Sequence, residues 1–356
     1  MRVPYLRHFM LSVVGLGIVA GSALPAARET SLDPLDRPAT IFARPDRAVL
    51  VSIASAGHRL VAVGESGLIA LSDDAGASWH QAVTPVSVTL TAVAFATDHD
   101  GWAVGHSGVI LVTRDSGQSW QRQLDGRQIL ARLAAANPKS ADETASADAA
   151  TFVAQMIQDG PDKPLLTLYA TDATHVIVCG AYGLILLTSD GGEHWAPRLD
   201  SSAMKGGKHF YAVVPTTRGL IFAGETGSLY LSNAMDGALV AIQSPYSGSF
   251  FGLVNASPES VIGFGLRGHA VVTDDGGLHW RDAAISASGA INAGRRLRDG
   301  RIVLATQTGE LWVSQDSGSS FHKGSTFGPA PISDFVETPH GLVVVGPRGV
   351  AHVTLP

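Results

Sequence analysis

The sequence predicts an all-β protein, a seven-bladed β-propeller, and three repeating features carry that prediction. A Gly-x-x-Gly tetrapeptide, with threonine first at Thr306, recurs with its second glycine at 67, 108, 183, 227, 268, 309 and 349. A second motif, S/T-x-D-x-G-x-x-W/F, follows five of the seven copies, as in "TRDSGQSW" ending at Trp120. The spacing between successive glycines stays near 41 residues, apart from one gap of 75 between Gly108 and Gly183. Such a period suits one propeller blade.

Each unit has room for four short strands. In the second unit "LTAVAF" and "GWAVG" read as the first and second strands, "VILVT" as the third, and "SWQRQ" opens the fourth after a turn. After Gly349 only "VAHVTLP" remains, enough for a third strand, so the last blade is expected to be completed by an N-terminal strand near "PATIFAR", before Asp46.

The aspartate motif sits where the third strand turns into the fourth. Its carboxylate can accept turn N–H groups, its hydroxyl residue adds a further bond, and its glycine supplies a positive φ. The aromatic ring then buries against the adjoining sheet. This assigns a structural role to Asp74, Trp79, Asp115, Trp120, Asp190, Trp195, Asp275, Trp280, Asp316 and Phe321. A calcium loop is excluded because no acid occupies the twelfth loop position.

The long gap carries an insertion between blades 2 and 3, from about Arg127 to Pro164, and "SADETASADAATFVAQMIQ" has the start and apolar spacing of a short helix. Residues 1–27 read as a cleaved secretory signal, with Arg2 and Arg7 ahead of a 16-residue apolar run and "PAA" before Arg28. Residues 28–356 are then the propeller. Export to a periplasm agrees with Cys179 being the single cysteine, because no intramolecular disulfide can form and the core must hold the fold. Cys179 reads as a small buried residue rather than a reactive thiol.

Composition narrows function. A net charge of −6 without a basic stripe gives no surface for nucleic acid. The 13 histidines include no H-x-H or HExxH pair, so neither a metal site nor a cofactor is expected.

The aspartate motif resembles the Asp-box, or BNR, repeat of sialidases, sortilin-type receptors and some glycosidases. With the Gly-x-x-Gly hairpins, the leader-like N-terminus and seven units, the chain is most similar to the photosystem II stability and assembly factor family and its relatives in non-photosynthetic bacteria. The resemblance runs from about Ala43 to Pro356. It implies a non-enzymatic assembly or scaffolding role, which in photosynthetic members means binding membrane-protein precursors through an arginine-rich face. Here Arg267 and Arg348 hold the third place of the tetrapeptide, where other units carry Ser66, Ser107, Tyr182, Thr226 and Thr308.

Strand order puts the Gly-x-x-Gly turns and the insertion on one face, opposite the Asp turns. Arg267, Arg348, Tyr182, His106, Glu65, Glu225 and Gln307 are therefore the candidates for contact with a protein client, a subunit of a membrane complex being one such client. The alternative reading is a glycan-binding or glycoside-hydrolysing propeller with Glu65 and Glu225 as acid and base. Against it, the Arg-Ile-Pro signature of sialidases is missing, "FARPDR" being the nearest string.

Overall fold

In the computed structural model residues 33–136, 143–199 and 206–354 are described; the segment read as a leader lies outside them. Seven antiparallel sheets follow one another along the chain, as residues 50–81, 90–124, 165–197, 210–242, 250–282, 291–326 and 334–353. These are blades 1 to 7. Six have four strands and the seventh has three.

Burial explains the strand sequences. The second strand of blades 2, 3, 5 and 6, such as Val176–Gly180 or Val261–Gly265, is buried along its whole length, and that of blades 1, 4 and 7 is buried after its first residue, because blades pack on both of its faces. Such strands read as continuous apolar runs. The first strands are buried only in part, Leu50–Ala56 burying Leu50, Ile53 and Ala56 between more accessible residues.

Between neighbouring blades lies one apolar cluster each, and an Asp-box ring packs in five of the seven. Trp120 of blade 2 packs with Val61, Leu71 and Val86 of blade 1, and Trp195 of blade 3 packs with Trp102 and Val112 of blade 2. Trp79, Trp280 and Phe321 occupy the corresponding gaps toward blades 7, 4 and 5. Blade 4 has no Asp box, and Leu239 takes the ring's place, 4% exposed, against Phe222 and Cys179. Cys179 is fully buried, which pushes its thiol pKa well up, as a core residue requires.

Ring closure departs from the expected N-terminal strand. Among the described residues the seventh sheet ends at Gly349–Val353, and the "PATIFAR" segment forms no strand. Its hydrogen bonds go to blade 1: the Ala39 amide donates to the Thr84 carbonyl (3.0 Å) and the Thr40 amide to Ser66 (3.1 Å). The segment does meet blade 7, with Phe42 packed against the cluster holding Val343 and Val345, and the turn Pro45–Arg47 beside Gly349. Pro38 and Pro45 bracket this stretch and lack the amide a ladder needs.

The insertion holds two helices, α1 (Gly126–Ala135) and α2 (Glu143–Gln158). Asp125 caps α1 by accepting the Arg127 amide (3.0 Å), while Gln128 reaches back to the Asp125 amide (3.1 Å). Ile129 and Leu133 of α1 and Met156 of α2 bury in the cluster between blades 2 and 3. No helix of the described residues is long and apolar enough to cross a membrane.

Candidate functional site

The Gly-x-x-Gly turns and the links between blades lie on one face. A Cβ on Gly67 would stand 2.0 Å from the Val86 carbonyl oxygen, and Gly227, Gly268, Gly309 and Gly349 would meet Tyr246, Ala287, Gly328 and Asp46 in the same way. Each of those carbonyls belongs to the chain leading into the next blade. Only glycine allows that approach, so the repeat follows from packing.

The residue before that glycine stands at the apex. Ser66, Ser107, Tyr182, Thr226 and Arg267 all have φ between 51° and 59°, the left-handed region in which most side chains are strained. A large Tyr182 or Arg267 at such an apex is projected outward, and both are exposed. Arg348 and His106 are exposed at their own turns, as is Gln307, while Glu65 and Glu225 are half-buried. Among the described residues neither Arg267 nor Arg348 has a side-chain hydrogen bond or ion pair, so the two guanidinium groups do not brace their turns.

The structure brings some of these candidates together and separates others. One side of α2 (Asp148, Phe152, Gln155, Met156), with Asp159 just past its end, faces Tyr182 and Gly207 across a cleft of about 310 Å³. Lys163 lies over Tyr182, its Nζ 5.7 Å from the ring and donating to the carbonyls of Asp159 (3.1 Å) and Gly160 (3.2 Å). The insertion also reaches blade 2, where Ser107 Oγ donates to Asp162 (2.9 Å).

From the cleft an aromatic strip leads inward. The His209 ring lies 4.9 Å from Tyr182 and 6.3 Å from Tyr211, which meets Phe251 edge-on at 5.9 Å. Glu225 holds the strip in place, accepting the His209 amide at 3.0 Å with its ring nitrogen at 3.3 Å and the Tyr211 hydroxyl at 3.4 Å. Burial and the Glu225 charge both raise the Tyr211 pKa, so the hydroxyl stays a donor. On blade 5, Tyr246 stacks on His269 at 4.0 Å next to Arg267. Burial raises the Tyr246 pKa and the Arg267 charge opposes it.

Sequence reasoning missed His209, Tyr211, Tyr246, Phe251, His269 and Lys163. Tyr211 and Phe251 occupy the second place of successive first strands, Phe210–Thr216 and Phe250–Asn255, so alignment of the units by those strands would have paired them.

On the opposite face the Asp boxes are internally satisfied. Asp115 Oδ1 accepts from Thr113 Oγ1 (2.7 Å) and the Ser119 amide (2.9 Å), Oδ2 accepts from Ser119 Oγ (2.6 Å), and Trp120 Nε1 donates to the Gly117 carbonyl (2.8 Å). The same bonds recur at Asp74, Asp190, Asp275 and Asp316, with His194 and His279 in the place of Ser119. The ring bond is absent from two boxes, since Trp195 Nε1 turns to Gln123 Oε1 (3.3 Å) and Phe321 has no ring donor. Asp190, Glu193 and His194 offer three ligand-type atoms within 4.8 Å of one another, but Asp190 already serves its own box.

Residues 53–143 match the family model of the photosynthesis system II assembly factor YCF48. Over those residues the chain is similar to this family of BNR-repeat proteins. Among solved structures it is similar to YCF48 from Cyanidioschyzon merolae, at 15% identity and TM-score 0.60 over 85% of this chain and 94% of that one. It is also similar to YCF48 bound to D1 peptide, at 17% identity and TM-score 0.61 over 86% and 93%. The WD40 propeller domain of Doa1 matches at 12% identity and TM-score 0.61 over 89% and 95%, which shows a shared architecture. No curated protein sequence matches.

Proposed function

We propose that this propeller is a non-enzymatic assembly factor of the periplasm that binds a protein client, a subunit of a membrane complex, on its Gly-x-x-Gly face. The observation that carries the reading is the contrast between the two faces. The Asp-box carboxylates are spent on their own turns, whereas the opposite face presents the unpaired Arg267 and Arg348, the exposed Tyr182 and His106, and the inserted helices. Arginine and tyrosine at exposed, rigidly held positions are the residue types that anchor protein interfaces. The similarity to YCF48, a structure of which is bound to D1 peptide, supports a polypeptide ligand.

The glycosidase reading loses its second carboxylate, because Glu225 is held by His209 and Tyr211 within the aromatic strip. The test is a double variant, Arg267→Ala with Arg348→Ala, presented to the client captured by the parent protein, with thermal stability measured alongside. The reading requires weaker capture at unchanged stability, and unchanged affinity would overturn it.

A further inference from the structure

We propose that the outer edge of blade 7 is a second recognition site, which takes an extended peptide as an added antiparallel fourth strand with acidic residues toward its C-terminal end. This site lies on the rim of the ring and is independent of Arg267, Tyr182 and the inserted helices.

The ladder of blade 7 is open on its outer side. Every other blade carries a fourth strand of two to five residues, whereas among the described residues blade 7 stops at Gly349–Val353. Gly346 pairs with Gly349 across a two-residue turn, which makes 346/349, 344/351 and 342/353 the hydrogen-bonded pairs. The amides and carbonyls of Val350 and His352 then point away from the sheet. Among the described residues no backbone group bonds to them. Peptides add to sheets at such rows of free donors and acceptors.

The edge is also unprotected. "GVAHV" contains no proline, lysine or carboxylate, the devices that usually guard an exposed edge. The strand is also held still, since His352 Nε2 sits 3.1 Å from the Gly76 carbonyl of blade 1. An apolar contact stands nearby: Phe42 packs against the cluster that takes in Val350, and the adjoining Ile41 is 81% exposed.

Charge sets the chemistry of the occupant. An antiparallel newcomer ends beside Gly349, and there Arg47 Cα stands 2.8 Å from where a Gly349 Cβ would be. The Arg47 side chain is 73% exposed and 3.7 Å from Asp46, which Arg44 already binds at 2.7 Å. Arg44 and Arg47 thus stand against the single carboxylate of Asp46. That excess favours an acidic end on the incoming strand.

The experiment uses the full chain and a labelled peptide, acetyl-Thr-Val-Thr-Val-Thr-Glu-Glu, with two derivatives N-methylated at alternate amides. In the free protein the Val350 and His352 amides should exchange quickly with solvent and the Ala351 amide slowly. The parent peptide should bind and protect Val350 and His352, one methylated derivative should bind similarly, and the other should not bind. Arg47→Ala should weaken binding about fivefold at low salt. Slow exchange of Val350 and His352 in the free protein, binding without their protection, or equal affinity of both methylated peptides would each overturn the proposal. None of those outcomes bears on the Gly-x-x-Gly face, which the peptide does not need.

Discussion

Arg295 and Asp334 form an ion pair of 2.9 Å that joins blades 6 and 7 beside the closure of the ring. Arg295 comes from blade 6 and Asp334 from blade 7, and both also hold blade 1. The guanidinium donates to the Ile53 carbonyl (2.9 Å) as well as to Phe335 (2.9 Å), and Asp334 accepts the Ser52 hydroxyl and the Ile53 amide, both at 3.1 Å. Where, among the described residues, the outer rim has no strand to join the ends, the inner strands carry the link.

Asp334→Ala should therefore destabilise the protein by about 2 to 4 kcal/mol, because it leaves the Ile53 amide and a partly buried guanidinium without their acceptor. Chemical denaturation would measure this. A loss no larger than that of Asp299→Ala, which removes a local pair with Arg301 on a tight turn, would show that closure does not depend on the pair.

The Asp boxes should govern stability and leave client binding alone. Asp115→Ala removes three accepted hydrogen bonds and Trp120→Ala empties the gap between blades 1 and 2, so costs of about 1 to 4 kcal/mol are expected, the larger for tryptophan. Melting curves and client capture on the same samples would check this. A variant that kept its melting temperature and lost its client would contradict it.

The boxes also predict acid lability. Hydrogen bonds from Ser78 hold the Asp74 carboxyl at about 2, below its ordinary 3.8. At Asp316 burial works upward, and bonds from Ser320 and Ser314 outweigh it to give about 2. Asp190 and Asp275 shift in the same direction. Because the folded values are depressed, this stabilisation is complete above the unfolded value and is lost as pH falls from about 4 to about 2. Asp74→Asn should flatten the fall in stability across that window, and an unchanged slope would exclude the box as its source.

The strained apexes allow a separation of stability from function. Arg267→Gly relieves a φ of 58° at a position that glycine tolerates, so stability should stay level or rise by up to about 1 kcal/mol while client affinity drops. Thermal melting and binding on one preparation would test it. A clear loss of stability would mean that the arginine braces its turn.

Much of this architecture is legible in the sequence because it rests on residues that backbone geometry demands. A Cβ on Gly67 or Gly268 would collide with a carbonyl of the next link, so the glycines recur at the blade period and reveal it. Asp115 and Trp120 are legible for the same reason, each being tied to its own turn. The helix α1 had a readable start in Asp125 and Gln128, but "DGRQILARL" follows a strand directly and is overshadowed by the longer helical pattern after it. Ring closure was not legible, since it depends on which of two nearby sheets the "PATIFAR" segment joins, and contacts with Thr84, Ser66 and Gln81 decide that. The aromatic strip was hidden for a related reason: His209 and Tyr211 join Tyr182 through packing between blades, which no spacing within one unit records.

The most direct test of the central claim, that the client docks on the Gly-x-x-Gly face, is site-specific photocrosslinking. A photoreactive residue is placed in turn at Tyr182, Thr226 and Arg267 on that face, and at Gln118, Leu278 and Ser319 in the Asp-box turns. The account predicts client adducts from the first set and none from the second. Adducts confined to the Asp-box turns would contradict it and move the working surface to the other side of the ring.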